Sequence, residues 1–61
     1  MEYTFEFDDK ETAHLFEAVL VLLTIKNEYE PRKVHVECRD AEVPMVFSIA
    51  LKLGGRLRSV A

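Results

Sequence analysis

Cysteine is almost missing from this chain, and so are the other staples of very small proteins. The 61 residues include one cysteine, Cys38, so no internal disulfide can form. Two histidines, without any repeated Cys or His spacing, do not make a structural zinc site. No cofactor motif is present. A membrane span needs ~20 apolar residues. The longest apolar run, Ala18 to Leu23, reaches Ile25 only by including Thr24. The acidic start Met1-Glu2 lacks the basic region that precedes an export signal. With one unpaired cysteine, this leads to the expectation of a reducing, cytoplasmic setting and no membrane partner. Glycine and proline, two each, build no linker, and there are no repeats or low-complexity segments.

These absences matter because the chain is short. It has room for one small domain, residues 1–61, and such a domain buries only ~60% of the surface its unfolded chain exposes. Burial and chain entropy then nearly cancel. With no disulfide and no metal, stability must come from a good core or from a partner, most simply a second copy. The 49% hydrophobic content supplies material for either.

Charge is divided along the chain. The net value is −3, yet residues 1–30 are strongly acidic while Arg32, Lys33, Arg39, Lys52, Arg56 and Arg58 make the second half basic. Two halves that complement each other, within one fold or across a dimer, account for this. The alternative is a basic surface for an anionic partner.

Glu2 to Phe7 alternates, with Tyr3, Phe5 and Phe7 on one side, and reads as a strand with one buried face. Asp8 and Glu11 have the spacing of a capping box. A helix is predicted from about Asp9 to Asn27 or Tyr29, ended by Pro31. Leu15, Phe16, Val19, Leu20, Leu22 and Leu23 form its wide stripe toward the sheet. Opposite lie His14, Ala18, Val21 and Ile25, and Tyr29 continues the spacing, a second apolar seam that asks for cover. Residues 33–39 form a second strand with Val34, Val36 and Cys38 inward. The strand–helix–strand order predicts parallel pairing through a right-handed crossover. Residues 40–53 fit a helix with Asp40 as N-cap, Pro44 in the first turn and Gly54-Gly55 as the exit. They also alternate like a strand, which the pre-proline position of Val43 favours. Arg56 to Val60 reads as a short last strand.

Chemistry is hard to assemble from these pieces. Cys38 and His35 fall on opposite faces of one strand, so no nucleophile meets a base. His35 and Glu37 share a face, but two ligands do not make a metal site. Asp8-Asp9 is a helix cap before it is an acid–base pair. Gly54-Gly55-Arg56 follows a helix, whereas phosphate loops precede one. An outward sheet face with Thr4, Glu6, His35, Glu37 and Arg39 is too acidic for single-stranded nucleic acid and carries no stacking aromatics. The sequence pI of about 5.2 lies far below the value above 9 expected of a basic binding domain.

The fold expected is a two-layer α/β sandwich in the order β-α-β-α-β, with β-α-β-β and a long C-terminal hairpin as the alternative. The function expected is a small non-enzymatic interaction or regulatory module, acting as a homodimer or as a small subunit of an assembly that includes a protein partner. His14, Ala18, Val21, Ile25 and Tyr29 are its candidate interface. The alternative is a nucleic-acid-associated protein that uses Lys52, Arg56 and Arg58 as anion contacts.

Overall fold

Alternation places the rings of Tyr3 and Phe5 in the first strand, and of Phe7 just after it, on one side, and the rest of the architecture is assembled on them. A computed structural model describes all 61 residues. Strand β1 (Glu2–Glu6) leads into helix α1 (Lys10–Leu22), then strands β2 (Lys26–Glu30) and β3 (Lys33–Glu37). A 3-10 turn at Asp40–Glu42 opens helix α2 (Val43–Lys52), and strand β4 (Arg56–Val60) closes the chain. The sheet order is β2-β3-β1-β4, with every neighbouring pair antiparallel. This is the split βαβ topology of ferredoxin-like domains. The expected two-layer sandwich and its element order are present, with β2 as an additional strand.

The additional strand changes the pairing. Helix α1 ends at Leu22 rather than near Asn27, and the chain from Lys26 to Glu30 is extended. Pro31 therefore does not stop a helix. It occupies the first central position of a tight turn whose second, Arg32, has φ +68°, the sign pattern of a type II turn. That turn sends β3 back alongside β2. The expected parallel pairing of residues 2–7 with residues 33–39 is thus replaced by an antiparallel ladder, Glu2 opposite Glu37 through Glu6 opposite Lys33. The strand parallel to β1 is β2, with β3 between them.

Both helices stop in the same way. After α2, the N–H of Gly54 donates to the Leu51 carbonyl at 3.0 Å and that of Gly55 to Ala50 at 2.8 Å. After α1, Thr24 donates to Val21 at 3.0 Å and Ile25 to Leu20 at 2.9 Å. These are paired Schellman bonds, which need a left-handed residue after the cap. Gly54 supplies it at φ +81°; Thr24, a β-branched residue, is held there at +56°. At the start of α1 the cap is Asp9, not Asp8: its carboxylate accepts the Thr12 backbone N–H at 2.7 Å. Asp8 instead holds Arg56 at 2.9 Å. Asp40 does not cap α2 either; it lies inside the 3-10 turn, where Glu42 folds back to accept the Arg39 N–H at 3.0 Å.

The core lies between sheet and helices. Phe16 of α1 meets Phe5 and Phe7 at ring distances of 5.6 and 5.2 Å, and Phe47 of α2 meets Tyr3 and Phe5 at 5.1 Å each. One phenylalanine per helix thus clasps the central strand, mostly edge to face, the favoured arrangement of aromatic pairs. Ala13, Leu20, Ile25, Val34, Val36, Cys38, Val46 and Ala50 fill the remaining space.

Candidate interaction surface

The two faces of the molecule differ in chemistry because sheet and helix periodicities expose different residues. On the open face of the sheet, alternation brings up Glu2, Thr4, Glu6, Glu28, Lys33, His35 and Glu37. Part of their charge is answered on the spot. Lys26 sits 3.4 Å from Glu37, Arg58 3.2 Å from Glu6, and His35 lies between Thr4 at 2.8 Å and Glu30 at 2.7 Å. A hollow of about 250 Å³ on this face is lined by Glu2, Lys26, Glu28, His35 and Glu37 among others. It lacks the apolar walls of a small-molecule pocket.

The helical face is the reverse. Because Ala13, Phe16 and Leu20 are buried, the 3.6-residue period directs Glu11, Leu15, Ala18 and Leu22 away from the sheet. The same reasoning from Val46 and Ala50 turns Met45, Ser48 and Lys52 outward on α2. Exposure follows: Leu22 is 83% exposed, Leu51 65%, Val21 56% and Leu15 52%, with Met45 also exposed. Several large apolar side chains thus stand exposed on one layer, a feature that can mark an interaction site.

The expected interface residues do not share one helical seam. Val21 is exposed and Ala18 partly so, both on α1. Ile25 leaves the seam altogether, buried in the core just before β2. Tyr29 stands on β2, where its hydroxyl donates to the Lys10 carbonyl at 3.3 Å and its ring meets His14 at 5.5 Å, edge on. His14 also lies 3.5 Å from Glu17. His14 and Tyr29 thus join α1 to the β2 edge within one subunit. The residues that take their place on the outer face are Leu15 and Leu22, which the sequence reading turned toward the sheet. With Ala13, Phe16 and Leu20 seated on the sheet, Leu15, Ala18 and Leu22 fall in one outward row, a phase that the many apolar positions of this helix leave open in the sequence.

The three candidate anion contacts do not gather into an open basic patch. Arg56 holds Asp8 and Arg58 holds Glu6, joining the basic second half of the chain to its acidic first half inside one fold. Lys52 stands apart at the end of α2. Gly54-Gly55 is occupied with terminating that helix. Cys38 is buried, and burial, followed by the nearby Glu42 carboxylate, pushes its thiol above the ordinary range. Such a thiol is a weak nucleophile. No helix is long and apolar enough to cross a membrane. Comparison with known protein families, with curated proteins and with solved structures finds no match.

Proposed function

We propose that this chain is a small non-enzymatic interaction or regulatory module, acting as a homodimer or as a small subunit of an assembly, and that the outer face of its two helices is the contact surface. One observation carries the reading: Leu15, Val21, Leu22 and Leu51 are each more than half exposed on the helical layer of a 61-residue chain. Full burial of such a side chain is worth about 1.5–3 kcal/mol. A partner on this face therefore adds stability on the scale of the whole domain, which at this length is about 3–9 kcal/mol. The unpaired cysteine supports a cytoplasmic, reducing location for the module.

Sedimentation equilibrium between 1 and 100 µM tests the reading, with Leu22→Asp as the variant. A dimer or larger assembly is expected, converted to monomer by Leu22→Asp without loss of helical circular dichroism. A wild-type chain that stays monomeric at 100 µM, with Leu22→Asp unchanged in mass and melting, refutes it.

A further inference from the structure

We propose that the partner is a second copy, docked so that each α1 lies antiparallel across the partner's α2, with Glu11 facing the partner's Lys52 and Leu22 facing the partner's Met45. This rests on the reading of the helical layer as a contact surface and adds the occupant and its register.

The argument starts from how the two outward rows are arranged. Helices α1 and α2 run in opposite directions, because each returns against its own strand and β1 and β3 are antiparallel. Their ends confirm this. Gly55, just after α2, is packed on Phe7, just before α1. At the other end, Thr24 after α1 and Glu42 before α2 line one hollow. Glu11 and Lys52 therefore mark one end of the layer, and Leu22 and Met45 the other. The small residues Ala18 and Ser48 lie in the middle of the two rows.

Two identical layers stacked with helices aligned have two symmetric solutions. A two-fold axis across the helices lays α1 on the partner's α1 and sets Glu11 over the partner's Leu22, charge on hydrocarbon. A two-fold axis along the helices, between them, lays α1 on α2 and keeps the ends together. Acid then meets base, apolar meets apolar, and Ala18 passes the partner's Ser48, where small side chains allow close approach. Only the second solution pairs Glu11 with a base and Leu22 with an apolar side chain. Both charges are free for it, since every ion pair within the subunit uses other residues.

Area points to the same use of both helices. The two longer dimensions of the molecule, 28 and 23 Å, bound a flat contact at about 640 Å² per partner. A specific interface buries about 800 Å² per partner, with a floor near 500 Å². A contact confined to one helix row covers only a fraction of that bound and falls short, so both helices must take part. The sheet edge at β4 is the competing surface, with Leu57 and Val60 exposed. It carries Arg56, Arg58 and a bulge opposite Thr4 and Phe5, devices that oppose edge pairing.

Charge reversal with rescue is the test. Association is measured by sedimentation equilibrium for wild type, Glu11→Lys, Lys52→Glu and the double reversal, with circular dichroism confirming that each is folded. Each single reversal is expected to weaken the dimer about tenfold, because two-fold symmetry repeats the contact twice. The double reversal is expected to return to within about threefold of wild type. Val60→Asp on β4 is expected to leave the dimer intact. A wild-type dimer that ignores both reversals, is not rescued by the pair, or is lost with Val60→Asp overturns this arrangement while leaving the interaction reading standing. A monomeric wild type at 100 µM that another protein's helix must cover overturns the second-copy proposal. Insensitivity of mass and melting to Leu22→Asp as well removes the interaction reading itself.

Discussion

Gly54 and Gly55 are adjacent, but the fold requires them for different reasons, and alanine substitution should separate the two. A Cβ at Gly55 would lie 2.6 and 2.8 Å from two carbons of the Phe7 ring and 3.0 Å from the Ala50 carbonyl oxygen. Ordinary carbon contacts are about 3.5–4.0 Å, so the ring must retreat by about 1 Å. It has nowhere to go: Phe7 is 1% exposed and rests on Phe16. Overpacking of this kind costs about 1–3 kcal/mol. At Gly54 a Cβ meets nothing within 4 Å, and the penalty is only that of φ +81°, about 1 kcal/mol. For a chain of this length 1 kcal/mol moves the melting temperature by about 8 °C. Urea denaturation at one fixed protein concentration is the assay, since self-association would otherwise shift the midpoint. With an m-value of about 1 kcal/mol/M, Gly55→Ala should lower the midpoint by about 1–3 M and Gly54→Ala by about 1 M. Phe7→Leu makes room for the new methyl group, so Gly55→Ala should cost less in that background, by about 1 kcal/mol, whereas Gly54→Ala should cost the same. Equal costs for both alanines, or strict additivity of Gly55→Ala with Phe7→Leu, would refute the steric reading of Gly55.

Thr24 occupies in α1 the left-handed position that Gly54 occupies in α2. Thr24→Gly should therefore stabilise the protein by up to about 1 kcal/mol, read as a raised urea midpoint; a lowered one contradicts the strain at this cap. The carboxyls of Asp9 and Glu42 lie below the usual range because backbone N–H groups, of Thr12 and Arg39 respectively, bind their charged forms. Their stabilisation is present above the ordinary carboxyl values, near pH 4, and is lost as pH falls through the depressed folded-state values. The pair Asp9→Asn and Glu42→Gln should flatten part of the fall in urea midpoint between pH 5 and pH 2.5. An unchanged fall places the acid sensitivity elsewhere.

The parts of the fold legible in the sequence are those where one periodicity has no rival. Tyr3, Phe5 and Phe7 alternate over a stretch too short for any helix, and Val34, Val36 and Cys38 do the same. For residues 43–53 two of the helix signals reflect real structure: Pro44 sits in the first turn and Gly54-Gly55 makes the exit. The segment from Thr24 to Glu30 was misread because Ile25 and Tyr29 are four residues apart and two alternate steps apart at once. They satisfy the helical seam begun at Ala18 and Val21, and equally a strand in which Lys26, Glu28 and Glu30 face outward. What decides between them is the stop at Thr24, and a threonine in the left-handed region gives no sequence signal of it. A glycine there would have ended the helix on paper as it does at Gly54.

The outer face follows from the phase of α1. Ala13, Phe16 and Leu20 seat its 13 residues on the sheet, so Leu15 and Leu22 turn outward. The outward apolar excess is real, but its centre lies about a fifth of a turn from the seam of His14, Val21 and Ile25, on the row from Glu11 to Leu22. The apolar excess survives this shift because it comes from composition: a short chain with this apolar content buries only 13 residues, Ile25 among them, while Leu15 and Leu22 stay outside. A variant that lets α1 continue through Thr24 would therefore draw Ile25 out of the core.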